Sequence, residues 1–227
     1  MKNLTSLVFI LLLATFFSAC KLDPVDYNHD VKPGGAVPGG TDNGGSVGSA
    51  EYYFKGKLNG TDLAWPVNDS GDWGSGISQP SEYGPDNLIA GYGGGIVNSK
   101  VFMVNYPAVM FYFKTLHATT FDQARLLLKS FITTGTWAYA PNVSLIADVK
   151  DVYVAYTDKN NVIYNTVGDQ TGSTFTVVST MVIPAEPGIA ERIKVKLNVN
   201  CKLYPVDGNG ASLTLTNCEA VIYLQAT

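Results

Sequence analysis

The stretch from Val195 to Leu224, VKLNVNCKLYPVDGNGASLTLTNCEAVIYL, decides the fold. Two alternating runs flank Asn209-Gly210, the preferred two-residue hairpin turn, whose type I′ geometry needs positive φ at both positions. With that turn at the centre, Val195, Leu197, Val199 and Leu203 lie opposite Leu224, Ile222, Ala220 and Thr216 on one apolar face. Lys194, Lys196, Asn198, Asn200 and Lys202 fall on the other. The same register sets Cys201 against Cys218 and places Pro205 where its missing N–H costs the ladder nothing. It predicts a Cys201–Cys218 disulfide across adjacent strands. Two buried free thiols packing as small hydrophobes are the alternative.

The opening of the same domain repeats the device. Asn59-Gly60 lies between YYFKGKL and TDLAWPV, pairing Phe54 with Trp65, Leu58 with Thr61, and Lys57 with Asp62. Trp65 is thereby a core residue. Between the two hairpins, Val101–Tyr106, Val109–Lys114, Asp148–Thr157, Val162–Asn165 and Ser173–Pro184 read as strands. Thr120-Phe121-Asp122-Gln123 fits a capping box. Phe121, Ala124, Leu127, Leu128 and Phe131 then follow helical spacing up to Gly135. The fold expected is all-β, an antiparallel β-sandwich or flattened barrel over residues 51–227 with one short helix at about 120–132.

Ahead of the domain stand two other segments. Lys2, the apolar run Leu4–Phe17, and Ser18-Ala19 before Cys20 form a secretory signal whose cleavage leaves a cysteine at the new N-terminus. Residues 1–19 are thus a signal peptide and Cys20 a lipidation site, as in the bacterial lipobox, with Phe17 standing where leucine is usual. Residues 20–50 are poor in large apolar groups and rich in Gly and Pro, and cannot bury enough surface to offset their ordering entropy. Such a tether spans about 30 Å.

Loss of Lys2 with the signal takes the net charge from −4 to −5. An acidic chain without a basic cluster excludes nucleic acid as partner and leaves membrane attachment to the lipid. A Ser-His-acid triad needs a histidine beside a nucleophile, but His29 lies in the tether and His117 at a strand end. No Gly-x-Ser-x-Gly elbow occurs within residues 51–227. No metal or cofactor is expected, since clustered His/Cys spacing is lacking and Asp158-Lys159-Asn160-Asn161 reads as a turn. Residues 68–95 read as a long Gly/Ser/Pro-rich loop carrying Asp72, Trp73, Glu82, Tyr83 and Tyr92. Of these, Trp73, Tyr83, Tyr92 and Asp72 are candidate ligand-binding residues, because aromatics beside carboxylates stack on and hydrogen-bond to sugars. Their other reading is as pins of the loop to the sandwich.

The runs VYVAYTDKNNVIYNTVGDQTGSTFTVVS (152–179) and VKLNVNCKLYPVDGNGASLTLTNCEA (195–220) carry a resemblance. With the opening Phe54-Lys55-Gly56-Lys57-Leu58-Asn59-Gly60, they make most of residues 52–224 similar to small Bacteroidota lipoproteins of unknown function. That resemblance implies a β-sandwich at the outer membrane, often facing the cell exterior, and supplies no catalytic residues. Asp23 and Asp26 partly match the phylum's acidic export signal. The functional expectation is a lipid-anchored, non-enzymatic binding or interaction module whose partner is a glycan or an envelope protein. It is expected at the outer membrane facing the cell exterior, with the periplasmic face as the alternative. A glycan-active hydrolase and a structural subunit of an outer-membrane complex are the alternatives.

Overall fold

The computed structural model describes residues 47–48, 50–68, 73–78, 81–83, 88–98, 107–143 and 150–225. Cys20, the signal, most of the tether, Asp72 and the strand expected at Val101–Tyr106 lie outside them. The elements are β1 (Tyr53–Leu58), β2 (Thr61–Pro66), β3 (Trp73–Ser78), β4 (Ser81–Tyr83), β5 (Leu88–Asn98), β6 (Ala108–Ala118), α1 (Phe121–Phe131), β7 (Gly135–Tyr139), β8 (Asp151–Thr157), β9 (Ile163–Asn165), β10 (Thr174–Ile183), β11 (Arg192–Pro205) and β12 (Leu213–Gln225).

They hydrogen-bond in the order β2-β1-β12-β11-β10-β7-β8-β6-β5-β3, with β4 on β5 and β9 bridging β8 and β11. The fold is all-β, as expected, and forms a sandwich closed like a barrel on one side. Closure falls to β7, which runs antiparallel to β10 and parallel to β8. Across the interior β12 packs on β5 and β3. The core is aromatic: Phe111 from β6 meets Phe54 of β1 at 6.4 Å and Phe175 of β10 at 6.2 Å between ring centroids. All three rings are fully buried, each stabilising the fold by about 1.5–3 kcal/mol.

Asn59 and Gly60 take the positive φ that the first turn requires, 47° and 82°. The expected pairs follow, and Lys57 Nζ reaches Asp62 Oδ1 at 2.8 Å. Asn59 also ties its turn to β12, its Oδ1 accepting from Thr214 N at 2.8 Å. Helix α1 matches its expected span. Its cap Thr120 accepts from Gln123 N at 3.2 Å, while Gln123 Oε1 accepts from Thr119 N at 2.6 Å.

The β11–β12 hairpin corrects the expected register. Its tight turn is Pro205–Gly208, closed by Gly208 N donating to Pro205 O at 3.1 Å, so Asn209-Gly210 falls within the longer connection. Asn217 then adopts φ 52° in a bulge, its N–H donating to Asn200 Oδ1 at 2.7 Å. Together these shift the pairing: Val195 faces Ile222, Val199 faces Cys218, and Cys201 faces Leu215. Cys201 and Cys218 are therefore not opposite one another. Both are free and buried, as the alternative reading had them.

A second correction concerns residues 68–95. Much of this stretch is strand rather than loop, with β3, β4 and most of β5 inside it. The glycines of β5 serve close packing: a Cβ on Gly94 would lie 2.4 Å from Tyr223 O across the sandwich, and one on Gly95 would lie 2.0 Å from Val109 O.

At the rim, the side chain of Gln170 replaces a strand. Its Nε2 donates to Lys202 O at 2.8 Å and its Oε1 accepts from Lys202 N at 3.1 Å. This completes the β11 ladder where β10, whose pairing begins with Thr174 and Asn200, has not yet started.

Candidate functional site

Of the candidate ligand residues, Trp73 and Tyr92 are turned into the core, and Asp72 lies outside the described residues. Trp73 is 7% exposed and stacked on Trp65, and Tyr92 is 0% exposed within the core. Neither presents a ring to solvent, which corrects their reading as a binding platform. Tyr83 sits in β4, where its side chain lies outside the described residues, as does that of His117 in β6. Asp158 organises a turn, its Oδ1 accepting from Asn160 N and Val162 N at 2.8 Å each.

The best-organised polar cluster lies instead on the outer face of β1, β12 and β11. The period of two that sends Phe54, Ala220 and Leu197 inward sends Lys55, Glu219 and Lys196 outward. Glu219 is the hub. Its Oε1 pairs with Lys55 Nζ at 3.0 Å and accepts from the Tyr53 hydroxyl, and its Oε2 pairs with Lys196 Nζ at 3.0 Å. Partial burial works against the ionised carboxyl, but Tyr53, Lys196 and Lys55 outweigh it and hold Glu219 down to about 2. Burial and the bond to Glu219 push the Tyr53 phenol up to about 12. That phenol stays protonated and donating at every ordinary pH.

Beside the hub, Lys194 Nζ meets Glu51 at 2.9 Å and lies 5.0 Å from the ring centroid of Tyr52. Tyr52 packs edge-on against Tyr223 at 5.4 Å, and Arg192 rests its guanidinium 5.4 Å from the centre of the Tyr223 ring. Burial, and then the Glu51 charge, push the Tyr52 phenol upward. The face thus sets the half-buried rings of Tyr53 and Tyr223 among ammonium groups, with Tyr52 buried beneath them. Two lysines share the single carboxylate of Glu219, leaving a surplus of positive charge at the hub. Such a surface offers ring edges and N–H donors in a rigid frame, and suits contact with hydroxyl-rich or acidic groups.

Sequence reasoning placed Lys194 and Lys196 on a polar face but did not gather them with Glu219 and Tyr53 into a cluster. The signal was present: Lys55, Lys57 and Tyr53 keep the parity of Glu219 and Tyr223 once β1 is placed beside β12. Among the described residues, no three His, Cys, Asp or Glu are grouped to hold a metal ion. No helix among them is long and apolar enough to cross a membrane. No protein family, curated protein or solved structure matches the chain.

Proposed function

We propose that the chain is a lipid-anchored cell-envelope protein whose β-domain acts as a non-enzymatic interaction module at the outer membrane, facing the cell exterior. The observation that carries the reading is the signal ending in Ser18-Ala19-Cys20, followed by a tether that holds the domain clear of the headgroups. The resemblance of residues 52–224 to Bacteroidota lipoproteins supports the same address. The Tyr53–Glu219–Lys196 face supplies the contact surface, and its partner is an envelope glycan or protein rich in hydroxyl or acidic groups.

Two measurements test this. Cells fed an alkyne fatty acid should yield labelled protein, and the label should vanish in Cys20→Ala; retention of label in that variant contradicts the anchor. Retention of purified protein on envelope glycans or envelope protein should fall about tenfold in a Tyr53→Ala/Lys196→Ala double variant, the loss of about 1.4 kcal/mol expected for one aromatic and one charged contact. Turnover of polysaccharide by the purified protein contradicts the non-enzymatic reading.

A further inference from the structure

β10 parts from its neighbour midway along its length. Phe175, Thr176 and Val177 pair with Trp137, Thr136 and Gly135 of β7, and a bulge follows between Val177 and Ser179. From Ser179 to Ile183 the strand pairs with Lys196 to Arg192 of β11, while no strand among the described residues pairs with its other side. Val178 to Val182 are all exposed, with Val178, Met181 and Val182 at 42%, 54% and 43%. Residues 178–183, VSTMVI, contain no charge, glycine or proline. Proteins ordinarily blunt an open edge with charge, proline or cover. Here β2, at the end of the sheet order, does so with Asp62 and Pro66. The outer half of β10 has neither device, and it is the stretch best suited to receive another strand.

The geometry points to a second copy of this chain as that strand, the two β10 edges pairing antiparallel about a two-fold axis through Met181. Opposed residues of an antiparallel pair share a face. Ser179, Met181 and Ile183 share the face of their partners Lys196, Lys194 and Arg192, whereas Thr180 and Val182 share the other. An axis through Met181 therefore sets Met181 against its counterpart, Thr180 against Val182, and Ser179 against Ile183. Every pair is neutral, and the Thr–Val pairs are of the β-branched kind that sheets favour.

Charge on the flanking strand also permits the match. Lys194, nearest the axis and opposite Met181, is held by Glu51, and Lys196 shares Glu219 with Lys55, so each of these ammonium groups meets a carboxylate. A strongly charged strand would find no partner along an edge that has no charge of its own. Two-fold pairing consumes both edges and closes the assembly, whereas a head-to-tail contact would leave an edge open. The inference stands independently of the lipid anchor.

One cysteine tests it, because a residue on the axis meets only its own counterpart. The full chain carrying Met181→Cys, treated with a mild oxidant, should give a reductant-sensitive band at twice the chain mass. With Cys20→Ala in every chain tested, the parent that keeps Met181 should not, since its two remaining cysteines, Cys201 and Cys218, are buried. Nor should Thr61→Cys, on β2. Adding Val182→Lys to Met181→Cys should cut the dimer band at least fivefold by placing a charge at the seam. A Met181→Cys chain that stays monomeric, couples to a chain of different mass, or crosslinks no better than Thr61→Cys overturns the proposal.

Discussion

The indole rings of Trp65 and Trp73 stack with centroids 4.4 Å apart and planes within 12°, one from each end strand of the hydrogen-bonded order. Main-chain pairing stops at β2 and β3, and at this seam the side chains complete the closure. Phe54 at 5.3 Å and Tyr156 at 6.3 Å extend the aromatic column from Trp65 into the core. Either Trp→Ala change should cost about 3–5 kcal/mol in urea unfolding. The double variant should fall short of the sum by about 0.5–1.5 kcal/mol. Strict additivity would mean that the rings do not hold the seam together.

Gly56 marks where β1 crosses closest to β12. A Cβ there would lie 2.3 Å from Cys218 Sγ and 2.7 Å from Cys218 Cα. Because a main-chain atom is involved, rotating the cysteine cannot relieve the overlap. Gly56→Ala should destabilise by about 1–3 kcal/mol, and adding Cys218→Ala should restore only part of the loss. An unchanged urea midpoint in Gly56→Ala would refute the register of β1 on β12.

The thiols give a prediction of their own. Burial pushes Cys201 upward and Cys218 up to about 11, so neither forms the reactive thiolate at neutral pH. In the folded, unreduced protein both should resist a thiol reagent. In concentrated urea without reductant both should react. Two thiols that stay unreactive in urea until reductant is added would show a bridge, and with it a register different from the one described.

Acid should weaken the fold through Glu219. Its carboxyl ionises at about 2 in the folded protein against an ordinary 4.5, so the folded state favours the charged form. Its stabilisation is complete above pH 4.5, declines as pH falls, and is gone below about 2. Asp169, held down to about 2 by Thr171 and Lys202, titrates over the same range. The contrast between wild type and Glu219→Gln therefore isolates the hub. Between pH 6 and pH 2 the wild type should lose on the order of 1–2 kcal/mol more than the variant, allowing for solvent screening. Parallel pH profiles would remove Glu219 from the account.

Two Asn-Gly pairs show how far the sequence could be read. At Asn59-Gly60 the flanking runs meet directly, both residues take positive φ, and every expected pair forms. At Asn209-Gly210 the neighbours intervene. Pro205 and Gly208 bracket a turn of their own, and Asp207 Oδ1 accepts from Asn209 N at 2.9 Å. Pro205-Val206-Asp207-Gly208 is itself a turn sequence, with glycine at its fourth position, and weighing it would have moved the register. The bulge at Asn217 had a weaker signal, a residue tolerant of positive φ beside Cys218. The alternation of β11, and of β12 from Cys218 onward, survived both changes, so those core residues were legible while the cysteine pairing was not. Ahead of the bulge it inverts: Leu215 is buried, and Thr216, expected on the apolar face, is exposed. Gly91–Gly95 misled for a different reason. Glycine marks flexibility and close approach alike, and only the partner across the sandwich, Tyr223, distinguishes them.

The N-terminal peptide of protein extracted from membranes decides whether Cys20 is the lipid anchor. Its mass should begin at Cys20, with residues 1–19 gone and the cysteine carrying fatty acyl groups. A peptide that retains residues 1–19, or a mature cysteine without lipid, would contradict the account.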